Sequence, residues 1–61
     1  MDDELLTVRQ VAQKLQVHFR TIERYIREHK LKALRLGRYL RIRQSELDRF
    51  LSELETDKDT D

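Results

Sequence analysis

Residues 5–26, LLTVRQVAQKLQVHFRTIERYI, hold two apolar patterns of helical spacing with room between them only for a turn. Val8, Val11, Ala12 and Leu15 repeat at intervals of three and four, as do Ile22, Tyr25 and Ile26, with Val17 leading in. Helices this short are not stable alone, so each must pack on its neighbour and on the rest of the chain. Thr7-Val8-Arg9-Gln10 has the form of a capping box, with the Thr7 hydroxyl accepting from the Gln10 amide and the Gln10 side chain returning a bond. Leu6 staples that start, and helix 1 is predicted over about 8–15. Gln16-Val17 makes the turn. His18 stands where helix 2 needs an N-cap, a place that Ser, Thr, Asp or Asn fills better. Helix 2 is predicted to end near His29-Lys30, and residues 1–5 read as a ragged lead-in.

Phe19, Arg20, Glu23, Arg24 and Arg27 lie mostly off the apolar side of helix 2. Two short helices about three residues apart, the second with arginines on its outer side, have the layout of a helix-turn-helix, whose second helix enters the major groove of DNA. Residues 31–36 and 39–43 then form strand-like runs around Gly37-Arg38. Glycine at the first central position suits a type II′ two-residue hairpin, which sets Leu36 opposite Tyr39 and Ala33 opposite Ile42. Apolar residues fall on both faces, so the pattern does not choose which one meets the core. Leu47, Phe50, Leu51 and Leu54 form a stripe that predicts helix 3 at about 45–54. The predicted fold is mostly α with a two-stranded β-hairpin wing, a winged helix-turn-helix in the order α-α-β-β-α. One domain covers 1–55, and the acidic tail 56–61, which has no apolar residue, is expected to be disordered.

Composition narrows the function. At 61 residues, the chain is near the lower limit for folding without staples. It has no Cys, and His18 and His29 stand apart from any other zinc ligand pattern, so neither a disulfide nor a structural zinc is expected. The net charge of +1 conceals a segregation: residues 5–52 hold 12 basic side chains against 4 acidic, and residues 18–43 hold 9 against 2, while both ends are acidic. A basic body calls for an anionic partner. No run is apolar enough to cross a bilayer and no signal peptide is evident, so no membrane partner and a cytoplasmic location are expected. No Gly-rich phosphate loop and no acid pair beside a nucleophile is present, and a chain this small lacks a second layer to form a pocket. A non-enzymatic protein without cofactor or metal is expected.

With these residues in order, the chain resembles the small MerR-like, excisionase-type winged helix-turn-helix family over about residues 5–51. The resemblance rests on LLTVRQVAQKLQV, on Thr21-Ile22 with Arg24 and Ile26, on Leu31, Ala33, Arg35, Leu36 and Gly37, on Arg41-Ile42, and on SELDRFL. The ordered set is specific for the fold and much less so for the biological role. The chain departs from the family where a small residue, often Gly, usually replaces Gln16, where Ser or Thr replaces His18, and where Gly replaces His29. Those three bear on turn geometry. A second Gly is common at Arg38, which here adds charge to the wing tip.

The resemblance implies sequence-preferring binding of double-stranded DNA, with a recognition helix over about 18–29 in the major groove. A wing over about 33–42 would grip the minor groove or backbone. Family members act as excisionases, which bend DNA and bias a recombinase, or as small transcription regulators. The excisionase-like reading leads, because nothing in the chain senses a ligand. A recombinase or integrase, or neighbouring copies on DNA, are then the expected protein partners, in a bacterial, phage or mobile-element setting. Larger regulators dimerise through a long helix beyond the winged domain. This chain ends soon after Leu54, and a monomer in solution is expected; Met1 and the polar tail suggest a complete chain. A module docking on an acidic protein is the reading from another class. RNA binding is weaker, for want of an exposed aromatic platform.

Arg24 and Arg20, four apart, share a helix face and suit the O6 and N7 of guanine. Glu23 either accepts from cytosine N4, holds an arginine, or is a plain surface charge. Arg27 lies further along, at phosphate distance. Phe19 either meets a thymine methyl or folds back onto helix 1, and Thr21, matching the family motif, caps or touches phosphate. His18 either donates to a phosphate or is a turn residue. In the wing, Arg38 and Tyr39 stand at the tip with Gly37, and Arg35 and Arg41 on the strands. Arg9 and Lys14 are candidates for backbone contact, Arg43 and Arg49 weaker ones.

Overall fold

The computed structural model describes residues 3–59, and the side chains of residues 3–55. Its elements are β1 (Leu5–Leu6), α1 (Val8–Leu15), α2 (Phe19–Arg27), β2 (Leu34–Leu36), β3 (Tyr39–Arg43) and α3 (Gln44–Asp59). The capping box forms as its residues dictate. Gln10 N donates to Thr7 Oγ1 at 2.9 Å and Thr7 N to Gln10 Oε1 at 2.8 Å, which satisfies two amides that a helix start otherwise leaves bare.

Both helices of the motif end in the same way. After α1, Gln16 N donates to Gln13 O and Val17 N to Ala12 O; after α2, His29 N donates to Ile26 O and Lys30 N to Tyr25 O. This pair of bonds is the Schellman arrangement, which needs a left-handed residue, usually glycine, just past the helix. Gln16 and His29 fill that place at φ 59° and 63°. Two of the family's missing glycines are thus the two non-glycine residues at positive φ among those described. Closure at His29 also ends α2 at Arg27, two residues short of the predicted 18–29.

The hairpin takes the expected register, with Leu36 opposite Tyr39, Arg35 opposite Leu40 and Leu34 opposite Arg41. Gly37 has φ 64°, and Arg38 is not among the residues at positive φ, as a type II′ turn requires. The expectation of two strands and a ragged lead-in is corrected. Leu5 and Leu6 pair antiparallel with Arg43 and Ile42, giving a three-stranded sheet in the order β1-β3-β2. The lead-in is also tied to α3, whose start has its free amides met from across the chain. Gln44 N donates to Glu4 O at 2.9 Å, Ser45 N to Asp3 Oδ1 at 3.0 Å and Ser45 Oγ to Asp3 Oδ2 at 2.6 Å. The helix runs on past the predicted 45–54. Of the tail expected to be disordered, residues 56–59 belong to its last turn, and 60–61 lie outside the described residues.

Pairing also decides the core face. Leu6 and Ile42 point inward to meet Val11 and Ala12 of α1, Ile22 of α2, and Leu47 and Phe50 of α3. Leu31, expected to open a strand, is a connecting residue only 1% exposed. Among the described residues no polar side chain is buried, so the core rests on apolar burial, roughly 1.5–3 kcal/mol per large side chain.

Candidate nucleic-acid interface

Helix α2 is held from below by Ile22, which is fully buried, and by half-buried Phe19, Tyr25 and Ile26. At 100° per residue this leaves Arg20, Glu23, Arg24 and Arg27 on one exposed arc. The only ion pairs found among the described residues are Lys30–Glu28 and Arg49–Glu53. Arg20, Arg24 and Arg27 are therefore unpaired there, and Glu23 holds none of them. A guanidinium fork without a carboxylate is free to donate to base edges or phosphates. Arg24 Cζ does lie 5.7 Å from the Tyr25 ring centroid, a contact that leaves its donors open.

The start of α2 is built from a stack. Phe19 is half-buried, with Arg9 Cζ of α1 4.2 Å above its ring centroid and the His18 ring stacked at 4.6 Å. Of the two places open to Phe19, the structure gives the one against α1. His18 caps the helix after all: its Nδ1 accepts from Arg20 N at 3.1 Å. A ring nitrogen that accepts carries no proton, so the exchangeable hydrogen of the neutral ring is on Nε2, facing away from the cap. Thr21 is half-buried, and its amide donates to His18 O at 2.9 Å.

Strand alternation splits the wing candidates. Arg35 shares the inner face with Leu40, and both line a groove of about 630 Å3 together with Glu23, Ile26 and Arg27 of α2. Lys32, which no sequence pattern singles out, lines the same groove. Tyr39 and Arg41 lie on the opposite face with Leu34 and Leu36. Arg41 folds back along its own strand on that face, its Nη1 donating to Leu40 O at 2.8 Å and its Cζ 5.4 Å from the Tyr39 ring centroid. Arg38 stands in the turn itself, 5.9 Å from the same ring. The structure thus brings Glu23 and Arg27 of α2 to the same groove as Arg35 and keeps Arg20 and Arg24 on the α2 arc. Phe19 packs against α1, Tyr39 and Arg41 lie on the opposite face of the hairpin, and Arg38 stands in the turn near Tyr39.

No described group of three or more His, Asp or Glu side chains is placed to hold a metal ion, and no described helix is long and apolar enough to cross a membrane. An arginine-rich second helix, a tight turn before it and a hairpin beside it define a winged helix-turn-helix of the DNA-binding class. The helix-turn-helix domain family model matches residues 5–55, and the chain belongs to that family. No curated protein and no solved structure matches the chain.

Proposed function

We propose that this protein binds double-stranded DNA with a sequence preference, laying the exposed arc of α2 in the major groove and the Gly37-Arg38 turn against the adjacent minor groove. The observation that carries the reading is the unpaired Arg20–Arg24–Arg27 arc beside a basic wing. Arg24 and Arg20 are the base-reading side chains, since a bidentate arginine on guanine discriminates by about 1–3 kcal/mol. Arg27 and Arg38 meet phosphate or groove wall. The proposed biological role is architectural, of the excisionase kind, with a recombinase or neighbouring copies as partners; a small transcription regulator is the alternative. The architectural role is favoured because the two grooves beside the wing and beside α3 are open to solvent, which suits a surface contact better than an enclosed effector.

Fluorescence anisotropy on a mixed-sequence duplex tests the binding. Affinity is expected to fall steeply with salt, with a log–log slope of several ions, and Arg24→Ala is expected to weaken it about tenfold or more. No binding at low salt sinks the reading and favours a docking module. Gel mobility with the site at different positions along a fragment tests the architectural role, which fails if mobility does not depend on position.

A further inference from the structure

The groove between α2 and the wing has a make-up that base reading does not use. Its floor is apolar, from Ile26, Ala33 and Leu40, and cations reach it from three elements: Arg27 from α2, Lys32 from the connecting segment and Arg35 from β2. None of the three has a carboxylate partner among the described residues, and Glu23 is the one acid on the lining. An apolar floor with cations around it matches the sugar–phosphate backbone, whose deoxyribose is apolar on its face and whose phosphates carry the charge.

Duplex geometry says which part of the DNA must come here. The major and minor grooves, about 12 and 6 Å wide, are separated by a single sugar–phosphate strand. If α2 occupies one and the hairpin turn the other, that strand has to cross the space between α2 and the wing. We propose that this groove is a strand seat for one backbone segment. Lys32 and Arg35 hold consecutive phosphates from the wing side, Arg27 closes from the helix side, and Glu23 repels phosphate from the α2 wall. Lys32 is thereby assigned to DNA binding as a residue that reads no base. This rests on the DNA-binding reading above, and its test is arranged to fail separately.

The experiment is anisotropy over a salt series with wild type, Lys32→Ala, Lys32→Glu and Arg24→Ala, on a preferred and a scrambled duplex. Thermal melts check that each variant stays folded; Lys32 is exposed, and its loss should leave the melt unchanged. Lys32→Ala is expected to lower the salt slope by about 0.9 and to weaken both duplexes alike, roughly threefold to tenfold, with the preference ratio intact. Lys32→Glu should go further in the same direction. Duplexes with single neutral methylphosphonate linkages sharpen the assignment. One linkage should weaken wild type and leave Lys32→Ala little changed, because the pair is then already broken. Inorganic phosphate at matched ionic strength should compete no better than chloride.

A salt slope that Lys32→Ala does not change overturns the strand seat while leaving the DNA reading in place, provided Arg24→Ala still weakens binding. A change in preference ratio assigns Lys32 to bases and overturns it too. Strong competition by inorganic phosphate makes the groove a free-anion site and does the same. Absence of binding by wild type overturns both readings.

Discussion

Helices α2 and α3 rest on the same core yet treat their polar side chains in opposite ways. On α3, Gln44 Nε2 donates to Asp48 Oδ1 at 2.9 Å, Arg49 pairs with Glu53 at 3.7 Å, and Ser45 is held by Asp3. On α2, Arg20, Glu23, Arg24 and Arg27 have no such partners among the described residues. Neither pattern arises from the cores of the two helices, which are alike: Ile22 and Leu47 are both at most 2% exposed. The contrast teaches that polar groups satisfied at home mark a structural helix, and polar groups left open mark one built for something outside the molecule.

The largest expected effect is on what the helices share. Ile22→Ala and Leu47→Ala should each cost about 2–5 kcal/mol, comparable with the roughly 3–5 kcal/mol that so small a core supplies. Circular dichroism should show both variants largely unfolded at room temperature. If only one unfolds, the helices do not depend equally on the core. The next effect separates them. Arg24→Ala should weaken duplex binding by about 1–3 kcal/mol and leave the melting temperature nearly unchanged. Arg49→Ala should leave binding unchanged and cost only about 0.3–0.5 kcal/mol of stability, as an exposed i, i+4 pair does. An affinity loss for Arg49→Ala equal to that for Arg24→Ala would erase the distinction.

A smaller effect lies at the helix ends. Gln16→Gly and His29→Gly should each raise stability by up to about 1 kcal/mol, since a left-handed backbone strains any side chain with a Cβ. A lower melting temperature in either variant would show that the Gln16 or His29 side chain contributes more than its strain costs. The smallest effect concerns the anchor of α3. The Asp3 carboxyl is held below its ordinary value of 3.8, first by the Ser45 hydroxyl and then by the Ser45 backbone N–H, with Arg43 adding a little. A lowered carboxylate value means stability that is present above the ordinary value and lost as pH falls through the folded one. Acid melts of wild type should therefore approach those of Asp3→Asn below about pH 4. Curves that stay apart at the lowest pH would mean that Asp3 contributes by something other than its charge.

Much of this was legible in the residues because it depends on near neighbours. Thr7 and Gln10 declare a helix start within four residues, and Gly37 sets the hairpin register within two. What was not legible depends on chain segments far apart in sequence. Leu5-Leu6 is too short to show a strand period, and becomes a strand only because β3 offers its free edge. The same pairing turns Ile42 inward and so assigns faces to Arg35, Tyr39 and Arg41, which alternation alone left undecided. Lys32 looks like a loop lysine until the fold sets it beside Arg27 and Arg35. Phe19 had two places open to it, and Arg9 of the preceding helix decided between them.

The uncompensated guanidinium groups of α2 and the wing have one more consequence. Like charges gathered on one side push against each other in the free protein and favour looser states. Dissolved salt shields that push beyond about 8–10 Å at physiological strength. Salt should therefore firm up the isolated domain while it loosens the complex with DNA. A duplex that neutralises the same charges and binds the folded chain more tightly than the unfolded one should raise the melting temperature further. Nucleic acid would then be not only the target of this domain but part of what keeps it folded.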